Sequence, residues 1–235
     1  MRRLAVLLLG LIVALAAIWQ LEAQRAGVEI TTRSVGETPV TRYAEPGTEG
    51  PVVVVAHGFA GSRQMMQAYA LDLARAGYRV WSFDFLGHGR NPVPMSGDVD
   101  SITGTTQRLV DQTRAVLDAA LAREGWTGQA AILGHSMATD IIIRTALAEP
   151  RVGPVVAISA FSQAVTEQAP ERLLLISGQW EPGLRGFARD AVAMVDPAAG
   201  EGETVRAGGV VRRAVGAPLA ELVGVLYCRA GRAEA

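Results

Sequence analysis

One stretch constrains this chain more than any other. Ala130-Ala131-Ile132-Leu133 is a short apolar run that ends in Gly134-His135-Ser136-Met137-Ala138, and an amphipathic run, Thr139-Asp140-Ile141-Ile142-Ile143, follows at once. This order reads as a strand, a sharp turn and a helix. Ser136 falls on the turn, which lifts its hydroxyl above the sheet edge. The next backbone N–H lies at a helix N-terminus, where developing negative charge is favoured. Small residues at Gly134 and Ala138 suit the close packing of such a turn. A chain built round this unit needs a sheet that ends under the serine and a helix that starts behind it.

The rest of the sequence repeats the alternation. Residues 27–45 read as a two-stranded antiparallel lead-in, and 45–51 as a polar turn. Val52-Val53-Val54-Val55-Ala56 is β-branched up to its last residue and too short for a helix, so it predicts a strand buried on both faces. A helix over 62–76 is stopped by Gly77, and 78–83 is the next strand. A helix over 105–123 places Leu109, Val110, Thr113, Val116, Leu117 and Leu121 on one face. Strands at 129–133, 155–158, 173–176 and 210–215, with helices at 137–149 and 184–195, complete the pattern. Residues 197–209 read as loop. The expected fold class is α/β, a mostly parallel sheet with helices on both faces and right-handed crossovers.

Composition narrows the partners. A chain of 235 residues that is 49% hydrophobic can bury one substantial core, so a single globular domain over residues 26–235 is expected. A net charge of −1 gives no reason to expect nucleic acid. The basic residues are all arginine, which reflects coding bias and licenses no site. A single cysteine, Cys228, excludes an intrachain disulfide and a cysteine-built zinc site. His57, His88 and His135 are too few for a histidine-rich metal cluster. No metal or other cofactor is expected.

The N-terminus is a separate matter. Arg2 and Arg3 precede a charge-free segment over 4–21, just long enough as a helix to cross a hydrocarbon core. It reads either as an uncleaved anchor, with the arginines cytoplasmic and the domain exported, or as a signal peptide cleaved near Ala14-Leu15-Ala16. Trp19 and the continuation of the apolar run past that site favour the anchor, so residues 1–25 are taken as a single-pass membrane segment.

In an open α/β sheet, reactive groups gather at the carboxyl ends of the strands. Three such ends are distinctive. His57-Gly58-Phe59-Ala60-Gly61-Ser62 offers glycines that allow close backbone approach, with the Phe59 N–H as an oxyanion donor beside that of Met137; alternatively it is a plain turn with Ser62 as helix cap. Ser136 is a nucleophile on its turn, or simply a cap. Glu181, in Ser177-Gly178-Gln179-Trp180-Glu181-Pro182-Gly183, is a carboxylate able to orient a histidine, or an exposed loop acid.

Taken together these motifs resemble the α/β-hydrolase family. The loop from His57 to Ser62 matches its oxyanion loop, Asp84-Phe85-Leu86-Gly87-His88-Gly89-Arg90 matches the loop after the next strand, and Gly134 to Ala138 matches its nucleophile elbow, with alanine in place of the usual final glycine. The resemblance spans about residues 52–215. It implies a serine hydrolase of ester-like or related acyl bonds acting on a small molecule, with Ser136 and Glu181 catalytic and Phe59 and Met137 forming the oxyanion hole. Peptidase and thioesterase chemistry in the same fold are not separable here. Serine at the elbow speaks against the haloalkane dehalogenase and epoxide hydrolase branches, which use aspartate. The short linker 161–171, where many relatives insert a lid, implies an open site.

One departure is serious. The family's order is serine, acid, histidine, yet no histidine follows His135. The expected position is about Leu222. His135 should point away from the hydroxyl, His57 should support its own turn, and His88 is the remaining candidate base. The rival reading is therefore a catalytically impaired hydrolase fold that serves as a binding protein, or a non-functional product. The ending from Cys228 to Ala235 lacks an apolar stripe, which suggests an altered or truncated C-terminus that would leave apolar sheet surface exposed.

Overall fold

The computed structural model describes residues 2–98 and 101–235. Helix α1 (Arg2–Ala23) stands clear of everything else, with every described side chain along it exposed. Its Val6–Ala23 segment is long and apolar enough to cross a membrane, a property that a signal sequence near an N-terminus shares.

The domain is organised round a nine-stranded sheet among the described residues. Strands β1 (Glu29–Val35) and β2 (Thr38–Ala44) form the antiparallel lead-in. Strands β3 (Val52–Ala56), β4 (Arg79–Phe83), β5 (Ala130–His135), β6 (Val152–Ile158), β7 (Arg172–Gly178) and β9 (Val210–Ala217) run parallel to one another. Strand β8 (Thr204–Ala207) closes the far edge antiparallel to β9, giving the spatial order β1-β2-β4-β3-β5-β6-β7-β9-β8. This is the α/β sheet that the alternation predicts.

Strand β3 shows why the sheet is covered twice. Val52, Val54 and Ala56 face one core, shared with α3 (Gln107–Glu124), α4 (Met137–Ala148) and α5 (Pro182–Ala193). Val53 and Val55 face the other, shared with α2 (Gln67–Arg75) and a 3₁₀ turn at Gly224–Leu226. Side chains alternate along a strand, so an unbroken apolar run needs cover on both sides. Each buried valine contributes on the order of 2 kcal/mol of transfer free energy.

Three local differences from the sequence reading have physical causes. Residues 204–207, within the stretch read as loop, form β8 because Gly208 and Gly209, at φ of 56° and 88°, make a two-residue hairpin turn that only such residues adopt readily. The helix expected over 62–76 begins as a 3₁₀ turn at Arg63–Met66, where the Arg63 N–H is drawn 2.7 Å from Asp84 Oδ1 and away from a helical start. At the C-terminus, α6 (Arg229–Glu234) and the preceding 3₁₀ turn bury Val225 and Leu226 completely, and Glu234 and Arg232 pair with Arg213 and Asp72 at 3.0 and 2.9 Å. The expected bare sheet face is thus reduced to a cleft of about 270 Å³ between Val53, Leu73, Leu133, Val156 and Ala235.

The strand directions separate two ends of the domain. Loops after β3, β4, β5, β6, β7 and β9 share one edge. Glu29, the first residue of β1, pairs with Ala44, beside the Tyr43–Val80 pair, and so lies at the opposite edge, where α1 joins. Linker 161–171, without helix or strand, is strapped down by the fully buried Arg212, which donates to Ala191 O at 2.7 Å and to the carbonyls of Thr166 and Ala169.

Asp84 is buried at the carboxyl edge. Its Oδ1 accepts the Arg63 N–H, its Oδ2 accepts Arg63 Nη1 and, at 2.9 Å, the Arg90 N–H, while Arg63 Nε reaches Thr41 Oγ1 at 2.9 Å. Removing one member of such a buried pair strands the other. Asp84→Ala is therefore expected to cost about 3–5 kcal/mol, read as a lowered urea midpoint in detergent-solubilised protein; a loss below about 1 kcal/mol would show that the pair contributes little.

Candidate active site

Ser136 joins β5 directly to α4 with φ 53° and ψ −121°. A non-glycine residue in such a conformation costs roughly 1–3 kcal/mol, so the surroundings must hold it there. They do. The Ser136 N–H donates to Ile158 O at 2.9 Å, and its carbonyl accepts from the N–H and Oγ1 of Thr139 at 2.8 and 2.7 Å. A Cβ at Gly58 would stand 3.0 Å from both Ser136 Cβ and His135 Nδ1, so the loop after β3 presses on the turn as closely as glycine allows. At Gly134 an added Cβ would meet Ile142 Cδ1 at 3.0 Å, the tight strand–helix contact expected there.

With its backbone groups occupied, Ser136 leaves its hydroxyl without a hydrogen-bond partner among the described residues. It lines a cavity of about 740 Å³, walled largely by apolar groups that include Phe59, Leu109, Met137, Ile141, Phe161 and Leu222. The backbone N–H groups of Phe59 and Met137 donate to no other group among the described residues. Both are free at the edge where the hydroxyl is presented.

None of the three histidines lines this cavity. His57 Nε2 accepts the Phe85 N–H at 3.1 Å, which puts the ring proton on Nδ1, and Nδ1 donates to Gly58 O at 2.7 Å. His57 therefore supports its turn, as expected. His88 is buried with Nδ1 2.8 Å from Leu86 O and its ring 5.4 Å from those of both His57 and Phe59. That places it behind Phe59 and outside the cavity wall. His135 Nε2 donates to Leu222 O at 2.6 Å, leaving a buried Nδ1 with no partner.

Glu181 is buried, not an exposed loop acid. Its Oε2 accepts from Ser159 Oγ at 2.8 Å and from the Gly178 N–H at 2.6 Å. Ser159, with φ 51°, shares the cavity wall with Ser136 and Leu222. Ser159 is thus bonded to the acid and lines the serine's cavity, which Leu222 lines as well. Sequence reasoning did not find Ser159. Its only signal was a polar residue directly after an apolar strand.

Residues 48–189 match the family described as serine aminopeptidase, S33. This chain belongs to that family. The matched span takes in the loop after β3, the Ser136 turn and Glu181, and stops short of Leu222. A solved structure described as a "predicted CIB-like hydrolase" from Thermoplasma acidophilum is similar over 88% of this chain and 97% of its own, with a TM-score of 0.63 and 15% identity. An epoxide hydrolase from Vigna radiata is similar over 57% of this chain and 41% of its own, with a TM-score of 0.42 and 24% identity. None of the curated proteins matches the chain. The fold is that of the α/β hydrolases, as the sequence motifs implied.

The buried histidines also set a pH limit. Burial pushes His57 down to about 4 and lowers His135 as well, so both rings are neutral in the folded protein at pH 7. Unfolding returns them to their ordinary value near 6.5. Below that pH the unfolded chain takes up protons that the folded chain refuses. Stability should therefore fall as the pH drops from 6.5 towards 4, by about 3 kcal/mol for His57 alone. Urea midpoints measured at pH 7 and pH 4.5 test this, and an unchanged midpoint would contradict it.

Proposed function

We propose that this protein is a serine hydrolase of ester-like or related acyl bonds. Ser136 is the nucleophile, the N–H groups of Phe59 and Met137 receive the oxyanion, and Glu181 is the acidic member. The reading rests on one observation: a serine held in a strained turn with its hydroxyl free in a cavity, beside two unpaired N–H groups. Attack on a substrate carbonyl places negative charge on its oxygen, which the two donors stabilise. Expulsion of the leaving group gives an acyl-enzyme, and water then releases the acid. The Ser136 proton has no side-chain base to go to, because leucine at 222 accepts none. It passes to solvent, and turnover falls by a factor on the order of 10⁶ relative to a complete triad.

A second reading is favoured by that same leucine. Its side chain adds apolar wall to the cavity, which suits a protein that holds an acyl ligand without cleaving it. In either case α1 serves as an N-terminal membrane anchor, with Arg2 and Arg3 cytoplasmic and the domain exported. The cavity opens at the sheet edge opposite the α1 junction, which supports a small, soluble substrate over a lipid of the anchoring membrane.

Two measurements divide the readings. A fluorophosphonate probe should label Ser136 of the wild-type protein only slowly and that of Leu222→His rapidly, and neither protein once Ser136 is alanine, whereas a folded Leu222→His variant that takes no label would favour the binding protein. Leu222→His should raise esterase kcat/KM by roughly 10²–10⁴-fold, the usual contribution of a general base, and Glu181→Ala in that background should remove most of the gain. A folded Leu222→His variant with no gain would count against the assigned position of the base.

A further inference from the structure

The charged residues lining the Ser136 cavity, among the described ones, are Asp140 and Arg144. They lie on α4, four residues apart, on the face that Met137 and Ile141 also present to the cavity. Both oxygens of Asp140 are hydrogen-bonded. Its Oδ2 accepts from Arg144 Nε at 2.8 Å, and its Oδ1 accepts from Ser162 Oγ at 2.6 Å. Arg144 is not fully engaged, since its two Nη groups donate to no other group among the described residues. The pair is neutral overall, yet what it leaves unused is a set of cationic donors beside Ile102, Leu109, Ile141 and Phe161.

From this geometry we propose that Arg144 is a specificity-determining residue that binds a carboxylate at the far end of the substrate's acyl chain. The proposal rests on the reading of Ser136 as the acyl site. Helix α4 acts as a ruler. Ser136 and Arg144 are eight residues apart, a backbone rise of about 12 Å; the bond to Asp140 turns the guanidinium back toward the serine, so the span to be bridged is no longer than that, and Met137 and Ile141 lie along it. The ligand is therefore a medium-length acyl chain with an anionic end, held at one end by the oxyanion donors and at the other by Arg144 Nη1 and Nη2. A guanidinium suits this task because its paired N–H groups match the two carboxylate oxygens. Asp140 serves as a positioning residue: its bond to Nε fixes the plane of the guanidinium, and Ser162 fixes Asp140. The charge of Asp140 is already balanced by Arg144, and each of its oxygens carries one hydrogen bond.

The test is binding of three esters of one length to the full-length Ser136→Ala protein in detergent, where no turnover occurs. Monomethyl suberate carries the carboxylate, dimethyl suberate is neutral, and methyl 8-aminooctanoate carries an ammonium. By isothermal titration the monoester should bind at least about tenfold more tightly than the diester. Arg144→Leu should abolish that preference, while Arg144→Lys should keep part of it. Equal binding of the mono- and diester would overturn the proposal, as would a preference that survives Arg144→Leu. Tighter binding of the amino ester would assign the recognition to Asp140 instead. If none of the three binds, the carboxylate site is wrong, and labelling of Ser136 by the fluorophosphonate still decides the nucleophile on its own.

Discussion

The buried carboxylate of Asp84 holds the site edge together. Three donors converge on it, two from Arg63 and one from the Arg90 backbone. Arg63 follows the loop after β3, Asp84 opens the loop after β4, and Thr41 of β2 takes the remaining Arg63 contact. One charge pair therefore fixes two active-edge loops and an antiparallel strand relative to one another. A buried pair of this kind adds little net stability compared with an apolar replacement, but it is intolerant of losing one partner. Its effect is positional. It holds the loop of His57 and Gly58 down on the Ser136 turn, where close contact leaves no room for a Cβ.

That turn joins a strained backbone to an unstrained task. The conformation of Ser136 is maintained by a hydrogen bond to the Ile158 carbonyl and two from Thr139, so the energy needed to hold it comes from the sheet and from α4. Everything required to display a hydroxyl is in place. The histidines, by contrast, are all committed elsewhere: His57 to its own loop, His88 behind Phe59, and His135 to the carbonyl of Leu222. The bond from His135 has a further consequence. It ties the segment after β9 to the last residue of β5, and Leu222 lines the same cavity as Ser136. Presentation of the serine and activation of the serine are separable properties, and this chain carries the first in full.

Much of the fold was legible because its periodicities are strong. The run Val52–Ala56 reads as a doubly buried strand, and Gly134 to Ala138 as a tight strand–helix turn, and both form as read. Element ends were less legible where a long-range contact decided them. Residues 62–66 start as a 3₁₀ turn because of a carboxylate twenty-one positions away, and β8 exists because two glycines turn it back onto β9. Ser159 and Arg144 escaped notice for a similar reason. Nothing local marks a serine after a strand or an arginine on a helix as facing the same cavity as Ser136.

The sequence by itself determined the order of the strands and helices from β1 to β9 apart from β8, the apolar N-terminal segment, the turn that bears Ser136 and the lack of a histidine after it. These follow from local patterns and from residue identity, which no packing can alter. Only the tertiary structure decided that Glu181 is buried and bonded to Ser159, that His88 lies behind Phe59, and that Leu222, Asp140 and Arg144 share one cavity with Ser136. Those facts depend on strand order and on which loops a parallel sheet brings to one edge, and on contacts between residues far apart in the chain.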